Sequence, residues 1–438
     1  MTSVLDRPED FAASALSGFC AAHADRVLAV PHGAIRAGAG AVGKVALVIG
    51  GGSGHYPAFL GYVGTGMADA AVAGDVFASP STSAVAGVAR SADCGGGVIL
   101  GFGNYAGDVL NFGAAAERLR GQGIDARLLA VTDDVASAAP DDAGRRRGVA
   151  GDLLVFKIAG AAAEAGLDLD AVMAVAERAN RATVSFGLAF DGCTLPGQQT
   201  PLFTVEKDQV ALGLGIHGEP GIASQPLAPA ADLARLLLEP LLAERPAGHG
   251  GRVAVVLNGL GRTAAEELFV LWHHLDTLLT DHGLTPVAPE LGQFVTSLDM
   301  EGCSLSLTWL DDELEALWLA PADTPALRRG TVAPPETHRR MTAAPDRVAA
   351  VAQGSAASRA AAPCMADMIA EVAKALAGAE AELGRIDAIA GDGDHGQGMA
   401  RGSAAAAAAA RQAVTDGAGA GSVLALAGDA WADRAGGT

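Results

Sequence analysis

Aromatic side chains make up only 4% of the 438 residues, although half of the chain is hydrophobic and 58 positions are glycine. That scarcity argues against a β-sandwich and favours closely packed helices with tight strand-to-helix turns, as in an α/β fold. Positive charge is also short, with 30 Lys and Arg against 50 Asp and Glu, a formal charge of −20. Nucleic acid or an anionic membrane would have to approach against that field, so neither is expected as a partner. Any phosphate ligand must arrive with cations or meet backbone donors. The five cysteines (Cys20, Cys94, Cys193, Cys303 and Cys364) are odd in number, scattered and without a CxxC pair. Neither a disulfide framework nor a zinc site is implied. The acidic MTSVLDRPEDF start lacks the apolar core of a signal peptide, and no stretch offers eighteen apolar residues free of Gly and charge. The expected location is the cytoplasm.

What is present begins with an apolar run, Lys44 to Ile49, that enters Gly50, Gly51, Gly52, Ser53, Gly54 and His55, a strand followed by a glycine-rich loop. This loop lacks the GxGxxG spacing, and no GxxxxGK[ST] occurs in the chain. A second such event runs from Gly97 through Gly103, Asn104, Tyr105 and Asp108 into a helix reaching Leu119. Arg127–Val131 supplies another strand. Leu153–Ile158 reads as a further apolar run leading into an Ala-rich helix, and Leu167–Ala182 has helical spacing. Strands alternating with helices predict a largely parallel sheet with ligand-binding loops at its carboxyl ends. The pattern restarts at Val253–Leu257 with a helix from Thr263 to about Leu279. A length beyond what one core serves, with these restarts, divides the chain into a two-lobed α/β domain over 1–320 (lobes about 1–195 and 196–320), a Pro- and Arg-rich linker over 321–354, and an all-α domain over 355–438.

Three places carry candidate chemistry. Asp387, Asp392 and Asp394, in DAIAGDGDHGQGM, could converge on hard cations, with Gly391, Gly393 and Gly396 bending the backbone between them. The helix beginning near Gly398 would offer N–H groups to phosphate. An ordinary Asp/Gly turn accounts for the same residues equally well. His217, in LGLGIHGEPG, could project from a loop as a nucleophile towards a carbonyl, as could His55, although a lone histidine is more often a structural group. Asp108 sits where α/β sheets gather ligand groups and could take a proton from a hydroxyl, or simply cap the helix that follows.

Taken together, GGGSGHYPA (50–58), GYVGTGMADAAVAGDVFASPS (61–81), NYAGDVLNF (104–112), GRRRGVAGDLLVFKIAGAAAEAG (144–166) and GLGIHGEPG (213–221) resemble the dihydroxyacetone kinase family, in the family's order. NGLG (258–261), TSLDMEGCSLSL (296–307) and GDGDHGQGM (391–399) extend the resemblance through the second lobe to the nucleotide domain. It implies an ATP-dependent kinase of a short-chain ketose, with Mg²⁺ and ATP as cofactors and a homodimer as the assembly. By the same carry-over His217 would hold the ketose carbonyl as a hemiaminal, selecting ketoses over polyols such as glycerol. Asp108 would be the base and His55 would bond the substrate oxygens. Gly52, Ser53, Gly54, Gly103 and Asn104 would line the substrate site. Asp387, Asp392 and Asp394 would hold two Mg²⁺, and His395, Gly396, Gly398, Met399, Gly437 and Thr438 would face the nucleotide.

The sequence departs from the family pattern at Gly103, where a lysine is usual, at Tyr56, where glutamate is usual, and at Phe156, where histidine is common. These changes suggest a substrate longer than dihydroxyacetone, such as the four-carbon ketose erythrulose. About eighty residues follow the linker, fewer than the family's closed helical barrel needs. The competing readings are therefore a ketose-binding or regulatory protein without kinase activity, a phosphotransfer-protein donor in place of ATP, and a flavin-nucleotide lyase side activity.

Overall fold

The computed structural model describes residues 4–38, 40–332, 354–387 and 395–435. Its first sheet contains β1 (Val27–Val30), β2 (Gly33–Arg36), β3 (Ala46–Ser53), β4 (Ala70–Val76), β5 (Val98–Gly103) and β6 (Ala126–Val131) in the order β1-β2-β4-β3-β5-β6. The pairs among β4, β3, β5 and β6 are parallel, while β1 and β2 join antiparallel at the edge. Strand β3 runs four residues past the expected end at Ile49, to Ser53, because the glycines let neighbouring backbone come close. A Cβ on Gly50 would lie 2.5 Å from the Val72 carbonyl oxygen, and one on Gly52 would lie 2.7 Å from the Ala78 nitrogen.

Successive residues of β3 point to opposite faces, so two cores form. Val48 packs with Leu100 and Phe102 beneath α2 (Thr82–Ala92) and α3 (Ala106–Arg120). Leu47 and Ile49 pack with Ile99 and Val131 beneath α4 (Asp152–Glu164) and α5 (Leu169–Arg181). An additional helix, α1 (Phe11–Ala22), precedes the sheet. The run Leu153–Ile158 is wholly helical. Every residue of α4 from Asp152 to Ala163 is buried, Asp152 and Lys157 included, so its sequence shows no helical stripe.

Strands β7 (Thr183–Asp191), β8 (Gln209–Leu212), β9 (Ala223–Pro226), β10 (Arg252–Gly259), β11 (Thr285–Pro286), β12 (Glu290–Gly292) and β13 (Glu301–Trp309) make the second sheet, ordered β11-β10-β13-β7-β8-β9 with β12 also beside β10. The chain enters it directly after Ala182, so the lobe boundary falls before β7 and not near residue 195. Parallel pairing is confined here to β10 with β11 and β12, and the other four pairs are antiparallel. Parallel neighbours need a long crossover, and in this lobe only α7 (Ala265–Asp281) provides one. With α6 (Ala230–Ala243) it covers the outer face of the sheet, where Val255, Leu257 and Leu305 meet Leu237 and Leu275. The inner face, including Ala254 and Val256, shares the core of the first lobe.

After α8 (Asp312–Leu319), the segment read as linker begins with folded chain. The hairpin β14 (Ala322–Asp323) and β15 (Arg328–Arg329) packs on the first lobe through a bridge between Thr65 and Asp323. The C-terminal helices α9 (Ala356–Asp387), α10 (His395–Thr415) and α11 (Ala420–Ala435) form a separate packed unit. It touches the first lobe where Ser81 and Ser83 donate to Asp433 and where Arg401 lies 3.8 Å from Asp75. No helix among the described residues is long and apolar enough to cross a membrane.

Candidate active site

A small pocket opens at the carboxyl ends of β3 and β5, where the second lobe lays the Ile216–His217 loop across them. Gly52, His55, Gly103, Asp108, Asp152 and His217 are among its walls. The loop turns at Gly218 (φ +91°), and a Cβ there would strike the Phe203 ring at 2.4 Å. The turn brings Glu219 back under His217. One carboxylate oxygen accepts from the His217 backbone N–H at 3.0 Å, and the other lies 3.0 Å from Nδ1 of its ring.

The two histidines meet Nε2 to Nε2 at 3.0 Å. His55 donates from Nδ1 to the Thr296 carbonyl at 2.7 Å, and burial and the charge of His217 push its pKa down to about 3, so its Nε2 carries a lone pair. The contact then requires the intervening proton to sit on His217. Glu219 stays ionised, because the neighbouring His217 and Arg147 outweigh its burial and bring its pKa down to about 2. Hydrogen-bond bookkeeping therefore has His217 donate from Nδ1 to Glu219 and from Nε2 to His55. Phe77 stacks on His55 at 4.9 Å, and the rings of Phe77 and Tyr105 approach His217 edge-on at 5.1 and 4.9 Å. The imidazole is thus held on two sides as well as by hydrogen bonds.

Asp108 lies in the first turn of α3 and accepts from Ser79 Oγ at 2.7 Å, a side-chain contact that replaces the expected capping role. Burial pushes its pKa up to about 7 against the lowering effects of Ser79 and His217. A carboxyl balanced near neutrality suits a general base. On the other side of the pocket, Asp133 accepts from the backbone N–H groups of Val149 and Gly151, each at 2.8 Å, and so fixes the turn that delivers Gly148 and Asp152. A Cβ on Gly148 would lie 2.4 Å from the Gly103 Cα, which shows how closely the two turns pass.

Of the residues proposed from sequence, His217, His55, Asp108, Gly52 and Gly103 come together in this pocket. Three other residues expected at the substrate site are not among the walls of this pocket. Asn104 donates its amide to the carbonyls of Arg146 and Gly144, Ser53 donates to the Gly74 carbonyl, and Gly54 accepts from Leu298 N–H. Ser53 and Gly54 face a neighbouring apolar groove instead. Of the three departures from the family pattern, only Gly103 reaches the pocket. Phe156 lies in the core, and Tyr56 is 49% exposed beside the groove. Glu219, Ser79, Tyr105 and Asp152 were not singled out. Glu219 could have been found from its place two residues after His217, since a ligand-binding imidazole commonly needs a carboxylate partner.

In the helical unit, Asp387 ends α9 with a carboxylate oxygen 3.4 Å from the His395 N–H that opens α10. Hard carboxylate oxygen beside a helix N-terminus fits a divalent cation bridging to phosphate. Asp392, Asp394, Gly437 and Thr438 lie outside the described residues. Among the described residues no three His, Cys, Asp or Glu side chains gather as a metal site. Gly396 and Gly398 serve helix packing, for Cβ atoms there would lie 2.0 Å from the Glu380 carbonyl and 2.3 Å from that of Ala435. Met399 lies in α10, in the turn after Gly396.

Residues 17–326 match the Dak1 domain. Over its full length the chain is 55% identical to L-erythrulose 1-kinase of Mycolicibacterium smegmatis and 54% identical to D-erythrulose kinase of the same organism, covering 77% and 76% of those proteins. The crystal structure of the dihydroxyacetone kinase from C. freundii in complex with AMP-PNP and Mg²⁺ superposes with a TM-score of 0.69 at 31% identity, covering 94% of this chain and 75% of that one. The full-length likeness is to small-molecule kinases, and the chain is one of them. The chain belongs to the dihydroxyacetone kinase family.

Proposed function

We propose that this kinase phosphorylates a short-chain ketose, with four-carbon erythrulose favoured over dihydroxyacetone, while the carbonyl is held covalently on His217. The observation that carries the reading is the chain of contacts from Glu219 through His217 to His55 and the Thr296 carbonyl, beside a carboxyl of raised pKa. The His217 Nε2 proton passes to His55, freeing a lone pair to add to the ketose carbonyl carbon. The carbonyl π bond opens, and its oxygen takes the proton back from His55, whose low pKa makes it a ready donor. The product is a hemiaminal, an N-substituted imidazolium paired with Glu219. Glycerol has no carbonyl and is not retained.

Asp108 then accepts the proton of the hydroxyl that attacks phosphorus. MgATP, when bound at the acidic loop that includes Asp387, supplies the phosphoryl group and the charge neutralisation of its transfer. Gly103 supports the longer substrate, because the wall carries no side chain at that point. The likeness to both erythrulose kinases supports the same choice.

The test is ketose-dependent ADP release with Mg²⁺ and ATP, comparing L-erythrulose, D-erythrulose, dihydroxyacetone and glycerol at equal concentration. Release with ketoses but not glycerol, highest with an erythrulose, is the expected result. Equal release with glycerol would overturn the covalent step, and no release with any ketose would overturn the kinase assignment of this pocket.

A further inference from the structure

Two polar atoms of the pocket residues have no hydrogen-bond partner among the described residues, Tyr105 Oη and Asp152 Oδ1. Asp152 is only 2% exposed. Buried polar groups are nearly always paired, and those left over are commonly completed by a ligand. Neither atom has a part in the chemistry above, where His217, His55 and Asp108 fill the roles of nucleophile, proton carrier and base. Both residues nevertheless line the same pocket as Gly103. A Cβ on Gly103 would already stand 3.3 Å from the Tyr105 ring and 3.2 Å from the Gly148 carbonyl. Any longer side chain there would extend beside Tyr105 into the pocket that both residues line.

Their charge state narrows the ligand. Burial, with the nearby Asp133 and Asp108, raises the Asp152 carboxyl well above the usual carboxylate range and so favours its protonated form, which donates and accepts. Burial likewise keeps the Tyr105 phenol neutral, and Asp152 is among the groups that raise it. Two neutral donor–acceptor groups match an alcohol. They offer no cation to a phosphate or carboxylate.

We infer that Tyr105 and Asp152 form a subsite for the additional hydroxyl of a four-carbon ketose and set the preference of the pocket for that substrate over the three-carbon one. The inference rests on the ketose-kinase reading and goes beyond it by naming the residues that measure substrate length. A pocket built to pair a hydroxyl discriminates strongly against a substrate lacking it, because its own polar groups then remain unpaired.

The experiment measures kcat/KM for erythrulose, dihydroxyacetone and 1,3-dihydroxybutan-2-one, which has four carbons but no terminal hydroxyl. The proteins are the unmutated chain, Tyr105→Phe, Asp152→Ala and Asp152→Asn. Tyr105→Phe removes one oxygen and keeps the ring against His217. The ratio for erythrulose over dihydroxyacetone should fall roughly tenfold or more in Tyr105→Phe and Asp152→Ala. The ratio for the deoxy ketose over dihydroxyacetone should not move, and Asp152→Asn, also neutral and able to donate and accept, should keep most of the erythrulose preference. Losses shared equally by all three ketoses, or an erythrulose ratio unchanged in Tyr105→Phe, would overturn the subsite while leaving the kinase reading intact. Absence of turnover by the unmutated chain with every ketose would overturn both.

Discussion

The lobe around β3 completely buries Leu47, Ile49, Met67, Ile99 and Phe156, whereas the cluster joining α9, α10 and α11 consists of seven buried alanines and Val423. Apolar burial contributes about 0.8 kcal/mol per CH₂, so the helices gain little from any one side chain and depend on close approach along their length. The glycines follow the same division. In the pocket they bring two backbone turns past each other, and in the helical unit they let one helix rest on the carbonyls of another. The pocket is therefore a rigid, over-determined site, and the helical unit is a body whose geometry rests on close backbone contact.

The widest separation between catalytic and structural roles should come from Asp108→Asn. Removing the base should lower kcat/KM for any ketose by about 10² to 10⁴-fold. The same change should stabilise the fold above neutral pH. The folded pKa of about 7 exceeds the reference of 3.8, so the folded state holds a proton that the unfolded chain has released between those values. Stability consequently declines as pH rises from about 4 to about 7, and that cost is full above 7. Thermal melts at pH 8 should place Asp108→Asn above the unmutated protein, with the gap closing at pH 4. A lower melting temperature at pH 8 would mean that the carboxylate stabilises the site, against the direction its burial requires.

A matched pair of glycine replacements sharpens the comparison of the two regions. In Gly148→Val the new side chain meets the Gly103 Cα and the Val131 carbonyl, and in Gly396→Val it meets the Glu380 carbonyl. Each should destabilise its own region by about 1–3 kcal/mol. Ketose binding without nucleotide, followed by calorimetry, should be lost in Gly148→Val and kept in Gly396→Val. Loss of binding in both would show that the pocket depends on the helices after all.

Smaller again is the effect of Gly103→Lys, which refills the bare wall. The lysine should press on the Tyr105 ring and Gly148, which must each yield by a few tenths of an ångström. Substrate preference should move towards dihydroxyacetone by roughly tenfold. An unchanged preference would remove Gly103 from the account of specificity.

Much of this was legible because it was local. The apolar run into Gly50–Gly54 marks β3, and His217 and Asp108 stand out as reactive residue types beside turns. What failed was whatever depends on distant partners. Helix α4 carries no amphipathic stripe because both lobes bury it, so Leu153–Ile158 resembles a buried strand. Strand β7 belongs to the second sheet through pairing with β8 and with β13, the latter more than a hundred residues later in the chain. Asn104 was placed at the substrate from its position in a motif, and nothing in the sequence signals that its amide donates to the carbonyls of Gly144 and Arg146. Asp152 was hidden for a related reason, since it reads as the polar flank of an apolar run until the fold brings it into the pocket with Gly103.

The mildest perturbation tests how the two halves of the pocket are tuned. Ser79 Oγ donates to Asp108 at 2.7 Å and stabilises the carboxylate, opposing the burial that raises its pKa. Ser79 also borders the cleft shared with Arg401 and Asp433 of the helical unit. Ser79→Ala removes the donor, so the Asp108 pKa should rise further above 7 while the base itself remains in place. The ascending limb of kcat/KM against pH should shift to higher pH by up to about one unit, the equivalent of one hydrogen bond of about 1.4 kcal/mol. The plateau at high pH should change little. A fall in the plateau without any shift of the limb would mean that Ser79 serves the approach of the nucleotide domain and not the proton affinity of Asp108.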